Sequence, residues 1–218
     1  MSVKINWYIF RGNLVMDFQH DSISASQYWL KAWELVKKLA LPTTPDMEHF
    51  RRAYPLISRD FYAWCYLLLQ ELHNAGLHNK RYHKASLTYV QEFFDIFPDE
   101  NSDEDIVLYF ERGKGEALFQ LGRAADGEAV YENLVQRLPD AGWAYIGWAR
   151  EYSFWKKPNY AHAAPILQRA LQRPDLQNRA EVMEELIDVY YEWGKDAKAE
   201  AVEKEYDALF GKDSAPDR

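Results

Sequence analysis

A single cysteine, Cys65, in 218 residues excludes a disulfide framework and fits a reducing compartment. Cys65 stands in the aromatic and leucine-rich run 62–69, with no neighbouring base or helix terminus to activate it, and reads as a buried, inert thiol. Long apolar runs are missing too. None approaches the ~20 residues of a membrane span, and Arg11 and Asn13 interrupt the short apolar stretch at the start, with no small-residue cleavage site after it. A soluble, cytoplasmic protein with no membrane partner is expected. Clustered Lys and Arg are also scarce. The net charge is −8, and residues 175–218 hold 13 acidic and 6 basic side chains, a balance of −7 that leaves −1 for the rest. Without a basic stripe there is little to release counterions from a phosphate backbone, so no nucleic-acid partner is expected.

The common signatures of catalysis are equally thin. No Gly-x-Ser-x-Gly elbow and no Ser, His and Asp set stand out. Arg112-Gly113-Lys114-Gly115 is basic and glycine-rich, but it lacks the Gly-Lys-Ser/Thr ending and a preceding strand, so it is not read as a phosphate loop. His73, His78 and His83 lie five apart, where helical metal ligands need three or four. The carboxylates at 99–100 and 103–105 lack the alternating ligand loop and glycine of a calcium site, and read instead as caps at a helix start. The expected function is non-enzymatic, with no cofactor and no metal.

What the chain does have is aromatic bulk and helical periodicity. It carries 8 Trp, 15 Tyr and 11 Phe with 48% apolar residues, enough to bury a substantial core, and only 211–218 reads as a frayed tail. Its one hairpin-type dipeptide, Asp126-Gly127, falls inside a helical register. The chain is therefore expected to be all-α.

Gly115, Leu118, Gly122, Gly127, Tyr131, Leu134 and Pro139 recur at set intervals. About 34 residues on, Tyr145, Trp148, Ala149 and Tyr152 take the first-helix places, Ala163, Leu167 and Ala170 the second-helix places, and Pro174 the terminator, with two residues inserted around 155–158. A further copy reads Leu186, Tyr190, Gly194, Ala199 and Tyr206, with polar residues Glu200, Lys204 and Asp207 suited to a last, water-facing repeat. Small residues let paired helices approach, large ones wedge between them, and proline stops the second helix. In this spacing the chain resembles the tetratricopeptide repeat family, in a divergent form with Lys114 and Gly127 off consensus.

The resemblance implies a right-handed superhelix of antiparallel helix pairs, an α-solenoid of about ten helices. Residues 58–210 form the array, in which Phe61 to Ala75 pairs with the helix carrying Lys80 to Ala85 across a long connection at 74–80. Residues 1–57 form an N-terminal helical region, either a divergent repeat or, over 3–18, a hairpin, followed by a connector at 41–45 and a short helix at 46–54. The resemblance also places first-helix side chains on the inner wall: Tyr109, Arg112, Glu116 and Phe119, then Trp143, Ile146, Arg150 and Phe154, then Glu184, Asp188 and Tyr191. Extending the register adds Trp64 and Trp7. Aromatic anchors beside Arg are the composition of binding hot spots, although aromatic residues at helical spacing also serve as core. The expected partner is a protein or peptide segment. Lys with Asn four residues later, the family's clamp for a terminal carboxylate, does not occur on the first helices. Self-association and sensing of a small molecule or signalling peptide are the alternative readings, and the expected oligomeric state is a monomer or weak dimer.

Overall fold

The computed structural model describes residues 1–40, 44–57, 60–155 and 157–211. Among them there are eleven α-helices, one 3-10 helix and no strand. In order they are α1 (Ser2–Gln19), α2 (Ser22–Leu39), α3 (Met47–Ala53), α4 (Phe61–His78), α5 (Arg81–Ile96), the 3-10 turn Pro98–Ser102, α6 (Glu104–Gln120), α7 (Ala124–Arg137), α8 (Gly142–Ser153), α9 (Tyr160–Leu171), α10 (Arg179–Glu192) and α11 (Asp196–Phe210). No described helix is long and apolar enough to cross a membrane. The tail from 212 onward and residues 41–43 of the 41–45 connector lie outside the described residues.

The helix boundaries follow local chemistry. Asp21 accepts from the amides of Ile23 and Ser24, and Asp103 from those of Asp105 and Ile106, satisfying donors that the first turn leaves open. Asp46 caps α3 through the His49 amide, and Glu100 holds the same helix start by accepting from the Met47 amide at 2.8 Å. The C-terminal stops of α6 and α10 are identical. Gly122 and Gly194 both take positive φ, at 78° and 68°. At the first, the amides of Gly122 and Arg123 donate to Phe119 and Leu118. At the second, those of Gly194 and Lys195 donate to Tyr191 and Tyr190. Each is a Schellman turn with glycine in the left-handed position. This corrects the expected role of Gly122: a Cβ there would meet nothing within 4 Å, so the residue serves backbone conformation and not close packing. The packing glycine is Gly127, where a Cβ would come within 2.5 Å of the Phe119 ring.

Three further expectations are corrected. Residues 3–18 form helix, not a hairpin. The connection after α4 is only Asn79-Lys80, since α4 runs on to His78. The α8–α9 connection, 154–159, is three residues longer than its counterpart at 121–123, where a two-residue insertion was expected.

The chain divides into two compact units, Met1–Gly127 and Glu128–Arg218, and the division falls inside α7. In the first unit α1 packs on α2, α2 on α4, α4 on α5, and α6 on both α5 and α4. The core is continuous from Ile5 to Phe110, so residues 1–57 share it with α4, α5 and α6. Its centre is aromatic: Trp33 meets Tyr89 edge-on at 4.8 Å, and Phe93 stacks on Phe110 at 4.0 Å. Two polar groups are satisfied within it, the Tyr89 hydroxyl donating to the Cys65 carbonyl at 2.9 Å and the Trp33 indole to Glu92 at 2.8 Å. Cys65 is fully buried, and burial pushes its thiol far above the ordinary range, as an inert structural thiol requires.

In the second unit α8 packs on α9, α9 on α10, and α10 on both α11 and α8. Contacts between a helix and the one two places on, α4 with α6 and α8 with α10, are what stacked helix pairs give, and within each unit the arrangement is that of an α-solenoid-like repeat fold. The loops between successive pairs meet as well: the Gln177 amide donates to the Asp140 carbonyl at 2.8 Å, and Arg173 reaches the Asp140 carboxylate at 3.0 Å. Only glycine fits at 142, where a Cβ would lie 2.3 Å from the Gln177 carbonyl oxygen.

Candidate functional site

Most of the expected inner-wall residues fall into three groups, and only one group lines a groove of useful size. The first group is core. Trp64 is 2% exposed, set between Phe61 and Trp33, and Ile146 is 1% exposed. Neither reaches solvent, because α4 and α8 each contact more than one neighbouring helix and turn these positions inward. Phe119 is also spent on packing, its ring filling the space that Gly127 leaves open.

The second group lies in the first unit between α4 and α6. Tyr109 sits edge-on to Tyr66 at 4.8 Å, and its hydroxyl donates to the Tyr66 carbonyl at 3.1 Å. Burial pushes that phenol up to about 12. Below it, Arg112 approaches Glu116 at 3.7 Å and His73 approaches the other Glu116 oxygen at 3.5 Å. Together with Gln70 and Gly113 they line a cavity of 130 Å³, well under the ~300 Å³ at which small-molecule sites begin. Gly113 and Lys114 lie in mid-helix, and Lys114 pairs with Glu111 at 3.0 Å, so no phosphate cradle forms. The five-residue spacing of His73, His78 and His83 does not reveal this contact; the approach of His73 to Glu116 depends on α4 and α6 lying side by side. His83 is 1% exposed, 5.6 Å from the His73 ring. Among the described residues no group of three His, Cys, Asp or Glu is placed to hold a metal ion.

The third group lies in the second unit, between the C-terminal halves of α8 and α10. Arg150, Ser153, Phe154, Tyr160, Glu185, Asp188, Val189, Tyr191 and Glu192 line an open groove of 620 Å³. Arg150, Phe154 and Tyr191 were expected on this wall, as was Asp188. Glu185, Glu192 and Tyr160 were not singled out; the acidic spacing on α10 was visible, but the approach of the α9 start was not. Phe154 is the prominent feature, 79% exposed where the longer α8–α9 connection begins. Arg150 donates to Glu185 through Nε at 2.8 Å and Nη2 at 2.6 Å, a charge-assisted pair that fixes both side chains. Asp188 and Glu192 have no partner among the described residues, so the groove carries three carboxylates against one guanidinium. The Tyr191 hydroxyl donates to Glu203 on α11 at 2.8 Å, which presents the ring, and not the hydroxyl, to the groove. Trp143 is half-buried at the opposite end of α8, about 16 Å from Phe154 at 1.5 Å per residue, and does not line the groove.

No protein-family model matches this sequence, and no curated protein matches it.

Proposed function

We propose that the protein is a non-catalytic binding module of tetratricopeptide-repeat type, and that the α8–α10 groove takes a protein or peptide segment with an apolar anchor flanked by Lys or Arg. The observation that carries this reading is Phe154, a large apolar side chain 79% exposed in a groove whose Asp188 and Glu192 have no partner among the described residues. A side chain of this size gains about 2 kcal/mol when covered, and the Asp188 and Glu192 carboxylates favour a cationic neighbour to it. The groove is open to solvent and not an enclosed cavity, which suits a peptide segment better than an enclosed small molecule. Two Schellman turns at Gly122 and Gly194, and the packing of first helices on first helices, support the repeat assignment. The buried lone thiol is in keeping with a cytoplasmic setting.

An array of synthetic 12-residue peptides, each with one Phe, Leu or Trp flanked by two Lys, two Glu or two Ser, tests the reading. The lysine series is expected to bind best, and Phe154→Ala is expected to weaken that series by about 30-fold, the equivalent of ~2 kcal/mol. Equal binding of all three series, or binding indifferent to Phe154, refutes it.

A further inference from the structure

The helix α1 is apolar on two opposite faces. One face, Ile5, Ile9, Gly12 and Val15, is buried against α2, with Gly12 admitting the Trp29 ring and the Trp29 indole donating to the Ile9 carbonyl at 3.1 Å. The other face carries Val3, Trp7, Phe10, Leu14 and Phe18. At 3.6 residues per turn these five lie within about 80° of arc, on the side away from the buried stripe. Leu14 is half-buried, but the other four are far from covered: Val3 is 72% exposed, Trp7 52%, Phe10 56% and Phe18 78%. No charged residue interrupts the stripe. With aromatic side chains presenting 150–250 Å² each when free, it amounts to about 500 Å² of apolar surface, at the upper end of what a monomer normally shows.

We propose that this stripe is a self-association surface, with α1 of one copy lying antiparallel on α1 of a second copy. Two such stripes bury about 1,000 Å² together, below the ~1,200 Å² of stable specific interfaces and in the range of weak, transient ones, which suits a dimer that forms only at micromolar concentration and above. The order of side-chain sizes favours the antiparallel arrangement. Reversal about Phe10 sets Val3 opposite Phe18 and Leu14 opposite Trp7, small against large, and puts Phe10 beside the two-fold axis. A parallel arrangement stacks Trp7 on Trp7 and Phe18 on Phe18 and leaves gaps at Val3 and Leu14. The size order, and not charge, selects a second copy over a lipid surface. Arg11 lies over the Trp7 and Tyr28 rings at 5.9 and 5.5 Å, and Lys31 over Tyr8 and Tyr28 at 6.0 and 5.7 Å, so cations flank the stripe and the vesicle arm of the test is needed to separate the two occupants. This surface is independent of the α8–α10 groove.

Sedimentation velocity of the full chain from 1 to 200 μM, with Phe10→Glu beside it, tests the proposal. Wild type is expected to move from monomer to dimer across that range, and F10E to remain monomeric with unchanged helical circular dichroism. Phe10→Cys is expected to form a disulfide-linked dimer on mild oxidation, while Trp7→Cys, which a parallel pairing would link as well, does not; the native thiol, Cys65, is buried and gives no background. A wild type that stays monomeric throughout, or a dimer unaffected by F10E, overturns the proposal. So does a wild type that is monomeric in solution yet sediments with vesicles of anionic phospholipid. A dimer lost in F10E without cross-linking in F10C overturns the antiparallel arrangement.

Discussion

Acidification from pH 7 to 4.5 should weaken the first unit through one side chain, His83. Its ring is 1% exposed, packed over Gly76, where a Cβ would fall 2.3 Å from it, and set across from His73. Burial, seconded by the charges of His73 and Lys80, lowers its pKa from 6.5 to about 4. The folded state therefore holds His83 neutral, while the unfolded chain takes up a proton below pH 6.5. The contribution is fully present above pH 6.5, declines as pH falls, and levels off below about 4. At 1.36 kcal/mol per pK unit, the loss by pH 4.5 is about 2.5 kcal/mol. The carboxylates held below their ordinary range, Asp21 and Asp46 by amide and side-chain hydrogen bonds against opposing burial and Glu48 by Arg52, lose their contribution only at more acid pH. Glu100, raised by burial, acts in the opposite sense. Urea unfolding of wild type and His83→Gln at pH 7 and 4.5 isolates the effect, because glutamine does not titrate. The variant is expected to start less stable and to lose about 2 kcal/mol less than wild type on acidification. Parallel losses in the two proteins, or a His83 ring that titrates near 6.5 by NMR, would refute the reasoning.

Other outcomes rest on packing. Trp64→Ala, which empties a site between Phe61 and Trp33, should cost about 3–5 kcal/mol, whereas Phe154→Ala should leave the melting temperature unchanged; calorimetry of the two separates core from groove. Gly127→Ala forces a Cβ against Phe119 and should cost about 1–3 kcal/mol by overpacking. Gly122→Ala, where there is space but φ is +78°, should cost about 1–2 kcal/mol by backbone strain alone; a neighbouring cavity-creating change such as Phe119→Leu should rescue the first and not the second. Glu92→Ala removes the acceptor of the Trp33 indole and the partner of Lys37 at 2.6 Å, and a loss of about 1–3 kcal/mol in urea unfolding is expected.

The helical class and most element positions were legible because apolar spacing, Asp caps and glycine stops act within a few residues. Asp103 was readable as a cap and Gly194 as part of a repeated pattern for that reason. What failed is non-local. Trp64 and Trp7 occupy similar places in the sequence register, yet Trp64 is enclosed and Trp7 is 52% exposed, a difference set by which helices arrive on the far side. Arg11-Gly12-Asn13 between two short apolar runs reads equally as a hairpin turn, and only the non-local packing of Gly12 against the Trp29 ring shows why a glycine stands there in mid-helix. In the candidate groove, Arg150, Phe154 and Tyr191 were found by register, while Tyr160 and Glu185 come into place only through the α8–α9 connection and the pairing of Arg150 across to α10. Spacing alone does not distinguish a glycine needed for closeness, such as Gly127, from one needed for positive φ, such as Gly122.

The groove on the second unit is tested most directly by amide NMR of the labelled protein titrated with a lysine-flanked Phe peptide. Saturable shifts are predicted at Arg150, Ser153, Phe154, Asp188 and Tyr191, and their loss in Phe154→Ala. Shifts centred elsewhere, or none at millimolar peptide across the lysine series, would contradict the account.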